Sequence, residues 1–113
     1  MNKHTPDRWM IVKIEGSNIP LTYKVFAWWY GGFLGADSWR LNSGIKSAKR
    51  IGAFWEFEGY SGSIYSCHKK TYGTNMFGAA TLDNLIAKAA EKNVKLETMP
   101  PESNWGELDY NVK

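Results

Sequence analysis

His68 directly follows Cys67, the single cysteine of the 113-residue chain. A thiol beside an imidazole is a nucleophile-and-base pair in many transfer reactions. The segment around them reads as a strand, where neighbouring side chains point to opposite faces. The two therefore do not meet, either as nucleophile and base or as two ligands of one metal. Cys67 is expected to be a small buried hydrophobe. His68 is expected at the surface or against a ligand, and His68→Ala is expected to leave the biological activity largely intact. The other histidine, His4, lies near the start of the chain. Glu56 and Glu58 share a strand face, and paired carboxylates can do acid–base work. Alternating Glu on a solvated strand face is the simpler reading. The sequence contains no CxxC, HExxH or His-rich pattern. No catalytic residue, metal ligand or cofactor is assigned.

Binding chemistry is better represented. Tyr23, Phe26, Trp28, Trp29, Tyr30, Phe33 and Trp39 place seven of the 17 aromatics within residues 23–39. Aromatic faces stack nucleobases, anchor protein interfaces, or simply enlarge the core of a small domain. The same region holds Gly31-Gly32-Phe33-Leu34-Gly35, which follows a strand but lacks the Gly-Lys-Ser/Thr ending of a phosphate loop. Its glycines could let backbone N–H groups approach an anion, or only permit tight turns. Asp37 to Gly44 adds a carboxylate, a guanidinium, an amide and two hydroxyls, with Asp37 and Arg40 also readable as a loop ion pair. Aromatic walls with a few polar and cationic groups are what a nucleotide pocket requires. The expected ligand contacts are Trp28, Trp29, Tyr30, Trp39, Arg40, Ser61 and Lys69. On this reading Trp39→Ala removes a stacking surface and Arg40→Ala a charge-assisted hydrogen bond.

These residues must be held by one domain, since 113 residues do not support two independent cores. An aromatic content of 15% argues for a folded chain. The net charge of +3 is uneven, with a balance of +5 over residues 1–72 and −2 over residues 73–113. That asymmetry favours an anionic partner, but the basic stretch is too sparse for duplex nucleic acid to be expected. The uncharged run Val25–Ala36 is too short to span a bilayer, and no apolar stretch follows the first residues as in a signal peptide. A soluble protein of the cytoplasm, without membrane partners, is expected.

Arg8–Glu15 alternates, with Met10, Val12 and Ile14 on one face and Trp9, Ile11 and Lys13 on the other, which predicts a strand. Gly16–Pro20 turns the chain into a second strand over Leu21–Tyr30. That strand is apolar on both faces, as for a central strand or one covered by a loop. Gly31–Gly44 is too rich in glycine for a regular helix. Ile45–Ile51, with Lys46, Lys49 and Arg50, reads as an edge strand, followed by strands at Ala53–Glu58 and Ser63–His68. Lys69–Ala80 reads as a loop. Thr81 is placed as the N-cap of a helix to about Asn93, with Leu82, Leu85, Ile86, Ala89 and Ala90 toward the sheet. Val94–Glu97 is a short strand, ended by Pro100-Pro101. The fold class is α+β: a mostly antiparallel sheet of about five strands with one C-terminal α-helix packed on it. Residues 1–98 form one β-rich domain. Residues 99–113 form a tail that is mobile or interface-forming, with Trp105 the reason it would dock.

The segments Thr5–Trp9, Phe26–Ile45 and Gly59–Lys69 resemble those of small uncharacterised proteins encoded by tailed bacteriophages. The resemblance implies no site residue. It implies a role in countering host defence, by sequestering a nucleotide signal or by occluding a host protein, in the host cytoplasm. The leading reading is thus a non-catalytic binding protein for a nucleotide-like small molecule. The alternative is a protein-interaction inhibitor of a host defence protein, and a small phosphodiesterase or nuclease ranks third. A second copy of the chain is a further candidate partner.

Overall fold

In the computed structural model of the chain, the described residues are 3–31, 35–101 and 103–110. Among them are eight strands and one α-helix: β1 (Lys3–His4), β2 (Arg8–Gly16), β3 (Ile19–Trp29), β4 (Ser38–Leu41), β5 (Ile45–Ile51), β6 (Phe54–Gly59), β7 (Ile64–His68), α1 (Met76–Glu91) and β8 (Val94–Thr98). The strands form two four-stranded sheets, ordered β4-β3-β2-β8 and β1-β7-β6-β5. Pairing is antiparallel except between β1 and β7. The α+β class is as the periodicity predicts. The strand number is higher, and the sheet is two sheets rather than one.

The alternation in β2 and β3 explains the layering. Trp9, Ile11, Tyr23, Val25 and Ala27 face the second sheet, where they meet Ile45, Phe57, Tyr65 and Cys67. Val12, Phe26 and Trp28, together with Leu96 of β8, face the other way, onto Leu82 of α1. The first sheet is therefore covered on both faces, which is why β3 carries large apolar residues at successive positions. β5 is the edge of the second sheet, as its lysines predict.

Two boundaries differ from expectation. The helix begins five residues before Thr81, at Met76, because Asn75 caps it: its Oδ1 accepts from the Gly78 N–H at 2.8 Å. The Thr81 hydroxyl instead donates back to the Phe77 carbonyl, 3.0 Å away. Gly78, which reads as a loop residue, lies inside the helix, where a Cβ would collide with the Thr74 side chain. Leu82, Leu85, Ile86 and Ala89 pack on the sheet as expected, while Ala90 is exposed. Asn93, at φ 59°, then turns the chain into β8. The second difference is β4, which the glycine-rich stretch conceals. Its residues pair with the end of β3, from Phe26↔Leu41 to Trp29↔Ser38.

The C-terminal segment belongs to the core. Pro100 and Pro101 do end β8, but Trp105 is only 2% exposed and lies against Trp9, Phe57 and Tyr72, with ring centroids 5.9, 6.4 and 5.5 Å away. Tyr110 is buried with it, its ring edge-on to Tyr23. The segment has few apolar residues, yet two are large rings, and each removes roughly 150–250 Å² from water. That is worth on the order of 4–6 kcal/mol gross per ring.

Candidate functional site

The seven residues expected to contact a ligand do not converge. Trp28 and Trp39 are direct cross-strand partners on the helix side of the first sheet. Trp28 is buried, its indole N–H donating to Asp37 Oδ2 at 2.9 Å, while Trp39 is 43% exposed and leans on Phe26. Tyr30, just past β3, is half exposed, and its backbone N–H donates to Asp7. Trp29 points to the opposite face, packing on the inter-sheet core with its N–H on the Thr5 carbonyl. Arg40 pairs with Ala27 and so shares that inner face, where its charge acts on the Tyr65 hydroxyl. Trp39 and Arg40, neighbours on β4, thus lie on opposite faces of the first sheet. Ser61 sits in the β6–β7 turn, its N–H donating to Ser43 Oγ. Lys69 follows β7, remote in sequence and pairing from the other six. Phe33 and Leu34 lie outside the described residues, as does most of the glycine nest.

Asp37 explains how the aromatic segment is held. Instead of pairing with Arg40, its carboxylate accepts from the Gly31 N–H at 2.5 Å, from Trp28, and from Asn75 Nδ2 at 3.3 Å. It therefore ties β3, the glycine-rich segment and the cap of α1 together. The Gly31 N–H and then the Trp28 indole hold its carboxyl below the usual carboxylate range. Gly31 is required there, since a Cβ would strike the Gly35 backbone. Beside Asp37, Trp28 and Phe77 border a shallow cavity of about 390 Å³. Phe77 and Met76 at the helix start are 71% and 82% exposed.

A second aromatic and cationic site is built by strand register on the second sheet. Pairing across β5, β6 and β7 places Arg50, Trp55 and Cys67 in one row on the inner face of the second sheet. Two residues beyond Cys67, the Lys69 N–H donates to the Ala53 carbonyl at 2.9 Å and opens a 3-10 turn. His68 Nδ1 accepts from the Lys70 N–H within that turn, and the His68 carbonyl accepts the Trp9 indole N–H at 2.7 Å. Trp9 forms part of the cleft that results. The opposite wall comes from Pro101, Ser103, Asn104 and Trp105. Asn104 Oδ1 accepts from the Gly106 N–H and caps a 3-10 turn over Trp105–Glu107. The cleft measures about 460 Å³ and carries the Arg50 and Lys69 cations on its sheet side.

Neither cation pairs with a carboxylate among the described residues, where the ion pairs are Lys3–Glu56 and Lys95–Glu97. Glu102, between two lining residues in the sequence, lies outside the described residues. Lys69 alone links this cleft to the expected contacts. Its other members carried visible signals, as a basic edge strand, an alternating β6 and an isolated Trp105, but nothing local to the sequence joins them.

Cys67 and His68 point apart, as strand alternation requires. Cys67 is fully buried, and desolvation pushes its thiol well above the ordinary range. The His68 ring stands edge-on to Phe54. Glu56 pairs with Lys3 at 2.9 Å. Among the described residues no three His, Cys, Asp or Glu side chains group to hold a metal, and no helix is long and apolar enough to cross a membrane. No family model, no curated protein and no solved structure matches this chain.

Proposed function

We propose that the protein is a non-catalytic binding protein for a nucleotide-like small molecule, held in the cleft between the second sheet and the C-terminal segment. One observation carries this reading: two cations without a carboxylate partner among the described residues flank the Trp55 indole in a cavity of ligand size. Stacking on Trp55 and charge-assisted bonds from Arg50 and Lys69 supply the two terms that such a ligand needs. With the resemblance to phage proteins, the role proposed is sequestration of a nucleotide signal as a counter-defence factor, in the host cytoplasm.

Native mass spectrometry of the protein purified from cells tests this, together with tryptophan-fluorescence titrations of nucleotides. A copurified nucleotide, or saturable quenching lost in Trp55→Ala, is expected. Absence of both with every common nucleotide overturns the reading.

A specific observation favours a second reading, inhibition of a host protein through a surface. Phe77, Met76 and Trp39 are exposed near the helix start, and exposed apolar patches mark partners. Crosslinking from Phe77 to a host defence protein, abolished by Phe77→Ser without loss of fold, is the outcome that would put it first.

A further inference from the structure

We infer that the cleft selects a terminal phosphomonoester joined to an aromatic base, that is a nucleoside monophosphate, over a cyclic or internal phosphodiester. The inference rests on the nucleotide reading above and concerns which nucleotide chemistry the site recognises.

The argument is an account of donors and acceptors. Arg50 Nε donates to the Gly52 carbonyl at 3.2 Å, which fixes the guanidinium and leaves its terminal amino groups free. The Lys69 ammonium bonds nothing among the described residues. Asn104 uses one lone pair of its Oδ1 on the Gly106 N–H, and its NH₂ group bonds nothing among the described residues. The indole N–H groups of Trp55 and Trp105 have no acceptor among the described residues. Ser103 donates its proton to the Pro100 carbonyl at 2.8 Å, so its Oγ and the second lone pair of Asn104 Oδ1 are the side-chain acceptors left. The side-chain capacity that remains in the cleft is thus mainly donor, and its described charge is positive. An amine or a cation offers these donors no acceptor in exchange for water and is repelled by the two cations, and a donor-rich sugar gains nothing from their charge.

The occupant must be rich in acceptors and carry more than a single charge. A phosphomonoester fits, with about −1.5 to −2 charge at pH 7 and three acceptor oxygens. A phosphodiester carries only one charge. The register adds the aromatic half: Arg50 and Trp55 are direct cross-strand partners, and Lys69 lies just beyond the Cys67 partner of Trp55. An indole therefore stands between the two cations. A Cβ added at Gly106 would lie 3.7 Å from the six-membered edge of that indole, so the C-terminal segment passes close to it. A volume of about 460 Å³ lies toward the lower end of ligand sites, roughly 300–1,000 Å³, and suits one nucleotide.

The test is calorimetry and tryptophan fluorescence on the full chain, with the four common ribonucleoside monophosphates, their cyclic forms, the nucleosides and inorganic phosphate. At least one monophosphate is expected to bind about tenfold or more tighter than its cyclic form. Its affinity should fall between pH 7 and pH 5, as the phosphate takes up its second proton near pKa 6. Arg50→Ala and Lys69→Ala should each weaken the monophosphate about 10- to 100-fold and leave the nucleoside unchanged. Both side chains are exposed, and Arg50→Gln serves if the alanine variant melts early. A cyclic form binding as tightly as its monophosphate overturns the inference and leaves the nucleotide reading standing. Equal binding of phosphate alone and of every monophosphate overturns the role of the base. No binding by any nucleotide overturns this inference and the function proposed above together.

Discussion

Two regions of this molecule are rich in tryptophan, and they obey different rules. In residues 23–39 the rings are dense in sequence, yet the strand sends Trp28 and Trp39 to the helix side and Trp29 to the inter-sheet core. Around the cleft, Trp9, Trp55 and Trp105 are far apart in sequence, yet they converge with Arg50 and Lys69. A strand disperses neighbours and joins strangers. Density along the chain therefore measures how much a segment can bury, while a site is made by pairing register and by what docks on the sheet.

The contrast is sharpest in stability. Trp105→Ala should cost about 3–5 kcal/mol, because it empties the space between Trp9, Phe57 and Tyr72. Trp39→Ala should cost about 1 kcal/mol or less, since that ring is already 43% exposed. Urea denaturation measures both, and equal losses would erase the distinction drawn between the two regions.

Binding should separate the regions again, by a smaller amount. Trp55→Ala should weaken the tightest-binding nucleotide by about 1–3 kcal/mol, the usual worth of one stacked base. Trp39→Ala and Arg40→Ala should leave its affinity unchanged. A loss confined to Trp39→Ala and Arg40→Ala would return the site to the aromatic segment and empty the cleft of its role.

The anchoring of the aromatic segment can be probed through Asn75, which caps α1 and also donates to Asp37. Asn75→Ala should cost about 1–2 kcal/mol, and Thr81→Ala distinctly less, because Thr81 only bonds back to Phe77. Thermal melts that rank them the other way would restore Thr81 as the start of the helix.

The smallest effect is one of pH. The Asp37 carboxyl is held below its ordinary value, so its stabilisation is complete above the unfolded carboxylate range, near pKa 3.9. It is lost as pH falls through the lowered folded value. The gap in Tm between the natural protein and Asp37→Asn should hold steady above about pH 5 and close in stronger acid. A gap that stays constant down to pH 2 would show that the charge on Asp37 is not what binds Gly31 and Trp28.

The sequence by itself determines those features that depend on backbone geometry alone. Alternation marks β2, β6 and β7, assigns Met10 and Val12 to one face and Trp9 and Ile11 to the other, and separates Cys67 from His68, while basic residues mark β5 as an edge. The apolar spacing from Leu82 to Ala89 marks the packed face of α1. These are local facts, because the twofold repeat of a strand and the 3.6-residue repeat of a helix hold whatever the neighbours are. Where one ladder ends and the next begins is not local. The division into two sheets, the short β4 inside a glycine-rich stretch and the earlier start of α1 each depend on a partner: β3, the second sheet, or Asn75 with Thr74 against Gly78. The cleft depends on most of these at once. It needs the β5–β6–β7 register to align Arg50 with Trp55, the turn after β7 to bring Lys69 up, and Trp105 to hold the C-terminal segment across the sheet. Each of those contacts is chosen by the total area buried and the hydrogen bonds completed over the whole domain, a sum that no single stretch of residues contains.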